Sequence, residues 1–316
     1  MDVNSTLEIV TGLTAAQKRL PSKLFYDDNG TALFRKITEA PEYYLTTCEK
    51  EILRKNADFI LDQMENRPFN LIELGAGDGS KASLLIKKAM TRPNFRSYYA
   101  YDISKKALEE LEANLEKSFP DLEPHLVIAD YTTSLEELDI PSQESNIFLF
   151  LGSSIGNFSP SQASLFLEKL SHKMKDGDFL LVGFDLKKAE RILYKAYNDS
   201  QGLTAEFNLN LLLRLNREYG ANFNIENFKH VEIYNPGLGA MESYLLSLKE
   251  QTVYFEDLNL EIHFQQDEMI HTELSYKFSV EDIENLVKDT SLKALSFLFD
   301  HKRYFVSVLF HRRSLH

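Results

Sequence analysis

Between Ile72 and Tyr197 the chain alternates short apolar runs with longer segments whose apolar residues recur every three or four positions. The runs Phe69–Leu74, Arg96–Tyr101, His125–Ala129, Asn146–Leu151 and Phe179–Phe184 have the length of strands. Lys81–Met90, Lys105–Ser118 and Ser161–Lys175 carry the helical period. This alternation predicts parallel strands joined by right-handed crossovers, with helices on both faces of one sheet. Ligands in such sheets bind outside the carboxyl ends of the strands. Those ends carry Gly75, Asp102, Asp130, Gly152 and Asp185.

The rhythm breaks at both ends. Residues 1–60 read as helical, punctuated by Pro21, Asn29-Gly30 and Pro41. Residues 198–278 pass from a helical stretch, Thr204–Tyr219, to strand-like segments around Glu232, Tyr244–Leu248 and Leu260–Phe264. A helix, Val280–Lys288, and two strands, Ala294–Phe299 and Tyr304–Phe310, follow; the last two are close enough for an antiparallel hairpin through Asp300–Arg303. The expected organisation is a doubly wound α/β core at 61–197 and 279–316. Residues 1–60 and 198–278 are expected to form a second, α+β domain acting as a lid on the substrate side.

The first strand leads into the most informative segment, Leu71-Ile-Glu-Leu-Gly-Ala-Gly-Asp-Gly-Ser-Lys81. Glycines at 75, 77 and 79 let a ligand lie on bare backbone, and the N–H groups of the following helix favour polar or anionic groups. Asp102, at the tip of the second strand, is placed to accept from a ribose diol. A dinucleotide loop has the spacing G-x-G-x-x-G; Ser80 stands where its third glycine would fall. With Glu73 in front, the pattern E-x-G-x-G instead resembles the first motif of class I methyltransferases that use S-adenosylmethionine. Gly75, Gly77 and Asp102 are then cofactor-site candidates, and a nicotinamide dehydrogenase is the rival.

Bulk properties narrow the partners. The chain of 316 residues has a formal charge of −13 and no long basic run, so nucleic acid is not the expected substrate. Its start, MDVNSTLEIV, lacks the basic region of a signal peptide. No apolar run approaches the ~20 residues needed to span a bilayer. A cytoplasmic monomer acting on a small molecule, without membrane contact, is expected. Cys48 is the only cysteine, which excludes an intrachain disulfide, and it reads as an unreactive thiol. The eight histidines show no paired ligand spacing, so no metal site is expected.

Further segments are more specific than the loop: Lys23-Leu-Phe-Tyr-Asp27, Pro41-Glu-Tyr-Tyr44, Phe150-Leu-Gly-Ser-Ser-Ile-Gly-Asn157, Ala196-Tyr-Asn-Asp199 and Thr272-Glu-Leu-Ser-Tyr-Lys-Phe278. Together with Glu73–Gly77, over roughly the whole chain and in the same order, they resemble the histidine-specific Nα-methyltransferases. These trimethylate L-histidine to hercynine in ergothioneine biosynthesis. The resemblance implies a class I methyltransferase core, a mostly parallel seven-stranded sheet with an antiparallel final strand, beside a second substrate domain. It implies S-adenosylmethionine at Gly75, Lys81, Asp102, Asp130, Tyr131 and Gly152. The amino acid's carboxylate and α-amino group would lie at Tyr43, Asn157 and Tyr197, and its imidazole at Glu273 and Ser275. Tyr26 and Phe34 would line the reacting amine, with Tyr26 and Asn157 nearest the chemistry. At Met241-Glu-Ser-Tyr244 the chain departs from the family's frequent Ile-Glu-Met-Trp, and it has no tryptophan.

These residue types suit the chemistry. A neutral imidazole offers one donor and one acceptor. A carboxylate and a hydroxyl two residues apart on a strand share a face and can serve both ring nitrogens. Without the family, Glu273 and Ser275 read first as solvated residues of an edge strand, and Asn157 equally as a turn residue or cap ahead of Ser159-Pro160. A same-fold enzyme acting on another amino acid, such as a modified tryptophan, is the nearest alternative, although an indole has no acceptor to match. A relative that binds without turnover is the other.

Overall fold

The computed structural model describes residues 3–132, 135 and 138–312. Helices α1 (Val3–Leu13), α2 (Asp28–Glu39) and α3 (Tyr44–Asp62) come first. Strands and helices then alternate: β1 (Phe69–Leu74), α4 (Ala82–Ala89), β2 (Phe95–Asp102), α5 (Lys105–Ser118), β3 (His125–Ile128), β4 (Ser145–Phe150), α6 (Pro160–Lys173) and β5 (Phe179–Asp185). Two helices follow, α7 (Glu190–Tyr197) and α8 (Leu203–Tyr219). Five strands come next: β6 (Phe228–Asn235), β7 (Ala240–Ser247), β8 (Gln251–Phe255), β9 (Leu260–Phe264) and β10 (Met269–Tyr276). The chain closes with α9 (Val280–Val287), β11 (Leu292–Phe299) and β12 (Phe305–Arg312). It divides into two compact units, Met1–Tyr43 with Ala189–Ser275 and Tyr44–Lys188 with Tyr276–His316.

The larger unit holds a seven-stranded sheet in the order β11-β12-β5-β4-β1-β2-β3. Strand β1 pairs in parallel with β2 and β4, while β12 runs antiparallel to both β5 and β11. This is the expected doubly wound sheet with an antiparallel last strand. All six residues of β1 are buried, as in a strand covered on both faces. Strand order reverses beside β1, which opens a crevice at its carboxyl end. Local signals agree with the topology: Ser104 caps α5 by accepting from Ala107 N–H, and Ser159 with Gln162 forms a reciprocal cap on α6 behind Pro160.

Two helices depart from the expected segmentation. Leu53, Ala57, Ile60 and Leu61 of α3 join the core of the sheet unit, together with Leu71, Leu111 and Leu149. Helix α3 therefore belongs with the sheet, because its apolar stripe is covered there. Helix α7 packs on β6 and β7 and lies in the other unit. Alternation of strand and helix cannot show that a helix following β5 fails to return to the sheet.

The smaller unit is α+β, with a three-stranded sheet β10-β7-β6 and a hairpin β8-β9. Its core gathers Ile9, Leu33, Phe207, Leu211, Leu245 and Phe264. Asp27 caps α2 by accepting from Gly30 N–H at 2.7 Å. A side chain at Gly30 would meet the Phe25 carbonyl at 1.7 Å, so only glycine allows this entry.

Within the larger unit, Asp185 ends β5 and is completely buried. It accepts from Tyr44 Oη at 2.8 Å, pairs with Lys277 Nζ at 2.9 Å and also bonds Lys188 Nζ. These partners stand at or next to the residues where the chain passes between units. Asp185 stands at the carboxyl end of β5, where the sequence places it, and its carboxylate is engaged by protein groups. No helix of the described residues is long and apolar enough to cross a membrane.

Candidate active site

Beyond β1 the chain turns through Gly75, Gly77 and Gly79 at φ of 74°, 54° and 69°. Only glycine adopts this sequence of left-handed residues without strain. Gly75 N–H donates to the Tyr101 carbonyl at 2.8 Å. Gly77 N–H donates to Asp102 Oδ2 at 2.9 Å, and Ser104 N–H donates to Oδ1 at 2.8 Å. Burial raises the Asp102 carboxyl against the opposing pull of these N–H groups. A Cβ on Gly77 would meet nothing within 4 Å, so the bend is open on that side. A Cβ on Gly79 would stand 2.1 Å from Leu111, so α5 packs directly on this glycine and Ser80 is not needed for that contact.

Tyr131 lies edge-on to Phe150, with ring centroids 5.6 Å apart, and its hydroxyl stands 3.1 Å from where a Gly75 Cβ would be. Asp130, half-buried beside it, accepts from Thr132 N–H at 2.9 Å. Lys81 and Gly152 meet on a residue the sequence reading missed. Lys81 Nζ lies 3.1 Å from Glu49 Oε2, and Gly152 N–H donates to that same oxygen at 2.8 Å.

In the smaller unit, Phe34 stands edge-on to Tyr26 at 5.6 Å and to Tyr43 at 6.4 Å. Phe207 joins this cluster at 5.9 Å from both Tyr26 and Phe34. Tyr197 Oη and Ser275 Oγ are hydrogen-bonded at 2.7 Å. Glu273 is half-buried on the same strand as Ser275, but the burial alternation of β10 breaks at 273–276. Strict sharing of one strand face by Glu273 and Ser275 therefore does not follow from the period. Ser243, buried, donates to Glu232 Oε2 at 2.6 Å. Asn157 belongs to the larger unit and is exposed at the end of a short 3-10 turn, Ser154–Asn157, while Ser159 takes the cap of α6.

Residues 5–312 match the family of histidine-specific, SAM-dependent methyltransferases. The chain belongs to this family. The histidine N-alpha-methyltransferase of Mycobacterium tuberculosis (strain CDC 1551 / Oshkosh) is 36% identical over 271 residues, covering 86% of this chain and 83% of that one. The enzyme of that name from Mycolicibacterium smegmatis is 35% identical over 287 residues, 90% of this chain and 88% of that one. In fold alone, the chain is similar to magnesium protoporphyrin IX methyltransferase from Synechocystis PCC 6803, solved with bound SAH. The TM-score is 0.51 at 12% identity, over 92% of this chain and 97% of that chain.

For a histidine-specific methyltransferase, the larger unit has residues that fit S-adenosylmethionine. It offers a glycine turn open at Gly77, a carboxylate fixed at the tip of β2, an aromatic ring at 131 and an ammonium at Lys81. Glu49 escaped the sequence reading because its segment looked polar. The signal was nevertheless present: Leu45, Cys48, Glu49, Ile52 and Leu53 occupy one buried stripe of α3, and Glu49 is the charged member. Cys48 is buried, and burial with the nearby Asp300 pushes its thiol up to about 12, so it is not a nucleophile. Among the described residues, Glu51, Asp300 and His301 have potential ligand atoms within 4.8 Å of one another. Glu51 already pairs with Lys55 and with His301 Nδ1 at 2.6 Å.

Glu73 of the loop motif is buried and accepts from the Tyr98 hydroxyl. Burial raises its carboxyl to about 8, despite the Tyr98 bond and the charge of Lys81. A raised folded value means that stability is complete below the unfolded value of 4.5 and declines as pH rises through about 8. Glu73→Gln should therefore match the wild type near pH 4 and exceed it at pH 8.5 by roughly 2–3 kcal/mol. Urea midpoints at the two pH values check this, and a parallel pair of curves would contradict it.

Proposed function

We propose that this chain transfers methyl groups from S-adenosylmethionine to the α-amino nitrogen of L-histidine, ending at the trimethylated product, hercynine. The observation that carries the reading is the family match over 5–312, joined to a Glu273/Ser275 pair whose serine is already hydrogen-bonded to Tyr197. We take Gly75, Gly77, Lys81, Asp102, Asp130, Tyr131 and Gly152 as the donor side, in the core formed by the larger unit. Tyr26, Phe34, Tyr43, Tyr197, Glu273 and Ser275, in the smaller unit, are the amino-acid side, and Asn157, in the larger unit, is taken separately as a substrate residue.

When bound, S-adenosylmethionine supplies an electrophilic methyl carbon on a sulfonium. Little acid–base chemistry is needed, so the protein's task is to hold a neutral amine in line with that carbon at ~3–3.5 Å. Before each attack the ammonium nitrogen gives a proton to water, directly or relayed through the Tyr26 hydroxyl; the freed lone pair would take the methyl group while its bonding pair stayed on the donor's sulfur, and after the third transfer the quaternary nitrogen has no proton to lose. The rings of Tyr26, Phe34, Tyr43 and Phe207 give the increasingly methylated cation an aromatic surface that requires no hydrogen-bond donor. Glu273 accepts from one imidazole nitrogen while Ser275, steered by Tyr197, serves the other.

The test is a mass-spectrometric product screen across the twenty amino acids with the methyl donor present. Histidine carrying one, two and three added methyl groups is expected, and preferential methylation of tryptophan would overturn the assignment. Glu273→Ala should weaken histidine binding about 10- to 150-fold, the loss of a charged hydrogen bond. S-adenosylmethionine affinity should stay within about twofold, since the donor loop lies on other strands. Calorimetric titration of each ligand separates the two effects.

A further inference from the structure

Glu49 is completely buried on a helix whose other inward positions are apolar. One carboxylate oxygen, Oε2, takes the Gly152 N–H and faces Lys81 Nζ; the other, Oε1, has no hydrogen-bond partner among the described residues. Two glycines make room for this arrangement. A Cβ on Gly183 of β5 would come within 2.2 Å of Oε1, and one on Gly152 would come within 2.6 Å of Lys81 Nζ. Holding α3 on the sheet does not require any of this. An apolar side chain of similar size would do so without the desolvation of a carboxylate. What the carboxylate adds is a negative charge that offsets the Lys81 ammonium, behind Gly152 just past β4 and Lys81 at the start of α4, so that a cationic donor meets an ion pair and not a lone cation.

We propose that Glu49 is a positioning residue of the methyl-donor site, which holds Lys81 and Gly152 in place and makes the site favour a cationic donor over the neutral spent product. The inference rests on the reading of Lys81 and Gly152 as donor-side residues. S-adenosylmethionine carries a sulfonium charge; S-adenosylhomocysteine, left after transfer, has a neutral thioether in its place. The rest of the two molecules is the same, so a buried carboxylate acts on their difference. In a site shielded from water, its attraction for the extra positive charge is stronger than it would be in solvent. An enzyme that must exchange donor for product three times on one amino acid gains from a site that prefers the fresh donor.

The experiment is calorimetric titration of the full chain with S-adenosylmethionine and with S-adenosylhomocysteine, alongside thermal unfolding. Glu49→Gln is expected to raise Kd for the donor about tenfold and for the product no more than about twofold. An equal change in both, or a change in neither, overturns the proposal even if the melting temperature falls. Glu49→Asp keeps the charge and is expected to keep the preference for donor, even where both affinities drop. Loss of that preference in the Asp variant to the same degree as in the Gln variant also overturns the proposal. Lys81→Met tests the underlying reading by itself: unchanged affinity for both ligands removes Lys81 from the donor site, whatever the Glu49 variants do.

Discussion

An Asp185→Ala variant is expected to lose about 3–5 kcal/mol of folding stability at neutral pH, the cost of stranding buried charge. Lys277 is fully buried and Lys188 nearly so, and both face this carboxylate. Burial pushes the Asp185 carboxyl up, but the two lysines together outweigh it and hold it below its ordinary value of 3.8. A depressed value means that the contribution is present above about pH 4 and is lost as pH falls through the folded value. Wild type and variant should therefore converge in acid and separate above it, which urea unfolding across pH would record. Replacing Lys277 with Met in the Asp185→Ala background should recover part of the loss, because one stranded cation is gone. A loss under about 1 kcal/mol, typical of exposed pairs, would show that the lysines find water when Asp185 is removed.

The sheet was legible because its signals are local. Phe69–Leu74 is an apolar run that stops at glycine, and Lys105–Ser118 and Ser161–Lys175 carry the helical period. The hairpin through Asp300–Arg303 was legible too, because a polar turn separates two apolar runs of strand length. The smaller unit was harder. Strand β8, Gln251–Phe255, was not anticipated, since it alternates polar and apolar residues over five positions only and finds its strand partner in β9. The assignment of α3 failed for another reason. An amphipathic stripe shows that a face is covered but not by what, and Ile60 could have found its core in either unit.

Site residues divide in the same way. Gly75, Gly77 and Asp102 were derived from spacing, and the structure joins them through the Gly77–Asp102 hydrogen bond. Tyr197 and Ser275 are far apart in sequence; the family resemblance assigned them to different ends of the amino acid, and their direct hydrogen bond is visible only in the fold. Glu49 and Phe207 were missed because each sits on a helix where it looks like an ordinary surface charge or an ordinary core ring. Their significance comes from what they touch: Gly152 for one, Tyr26 and Phe34 for the other. Ser243 shows the limit from the opposite side. In sequence it is only a departure from the family's frequent methionine, yet its hydroxyl serves the buried Glu232 on the paired strand β6, a partner that no linear pattern reveals.

Asp102→Ala should weaken S-adenosylmethionine by at least about 100-fold, more than any other single change on the donor side. Two losses combine. The carboxylate is the proposed acceptor for the ribose diol, and each hydrogen bond to a charged group is worth about 1.5–3 kcal/mol. It also holds the loop, since Gly77 and Ser104 both donate to it from backbone N–H. A shape-preserving Asp102→Asn variant separates these contributions. Its amide oxygen can still accept one backbone N–H while its nitrogen faces the other donor, so the loop should be partly ordered and affinity intermediate. Histidine binding, measured separately by titration, should change far less than donor binding in either variant. Donor affinity within about threefold of wild type in Asp102→Ala would remove the ribose role. The Gly77 and Ser104 contacts would then be the whole reason for a carboxylate at the tip of β2, and the donor would have to be held mainly at the Lys81 and Gly152 end.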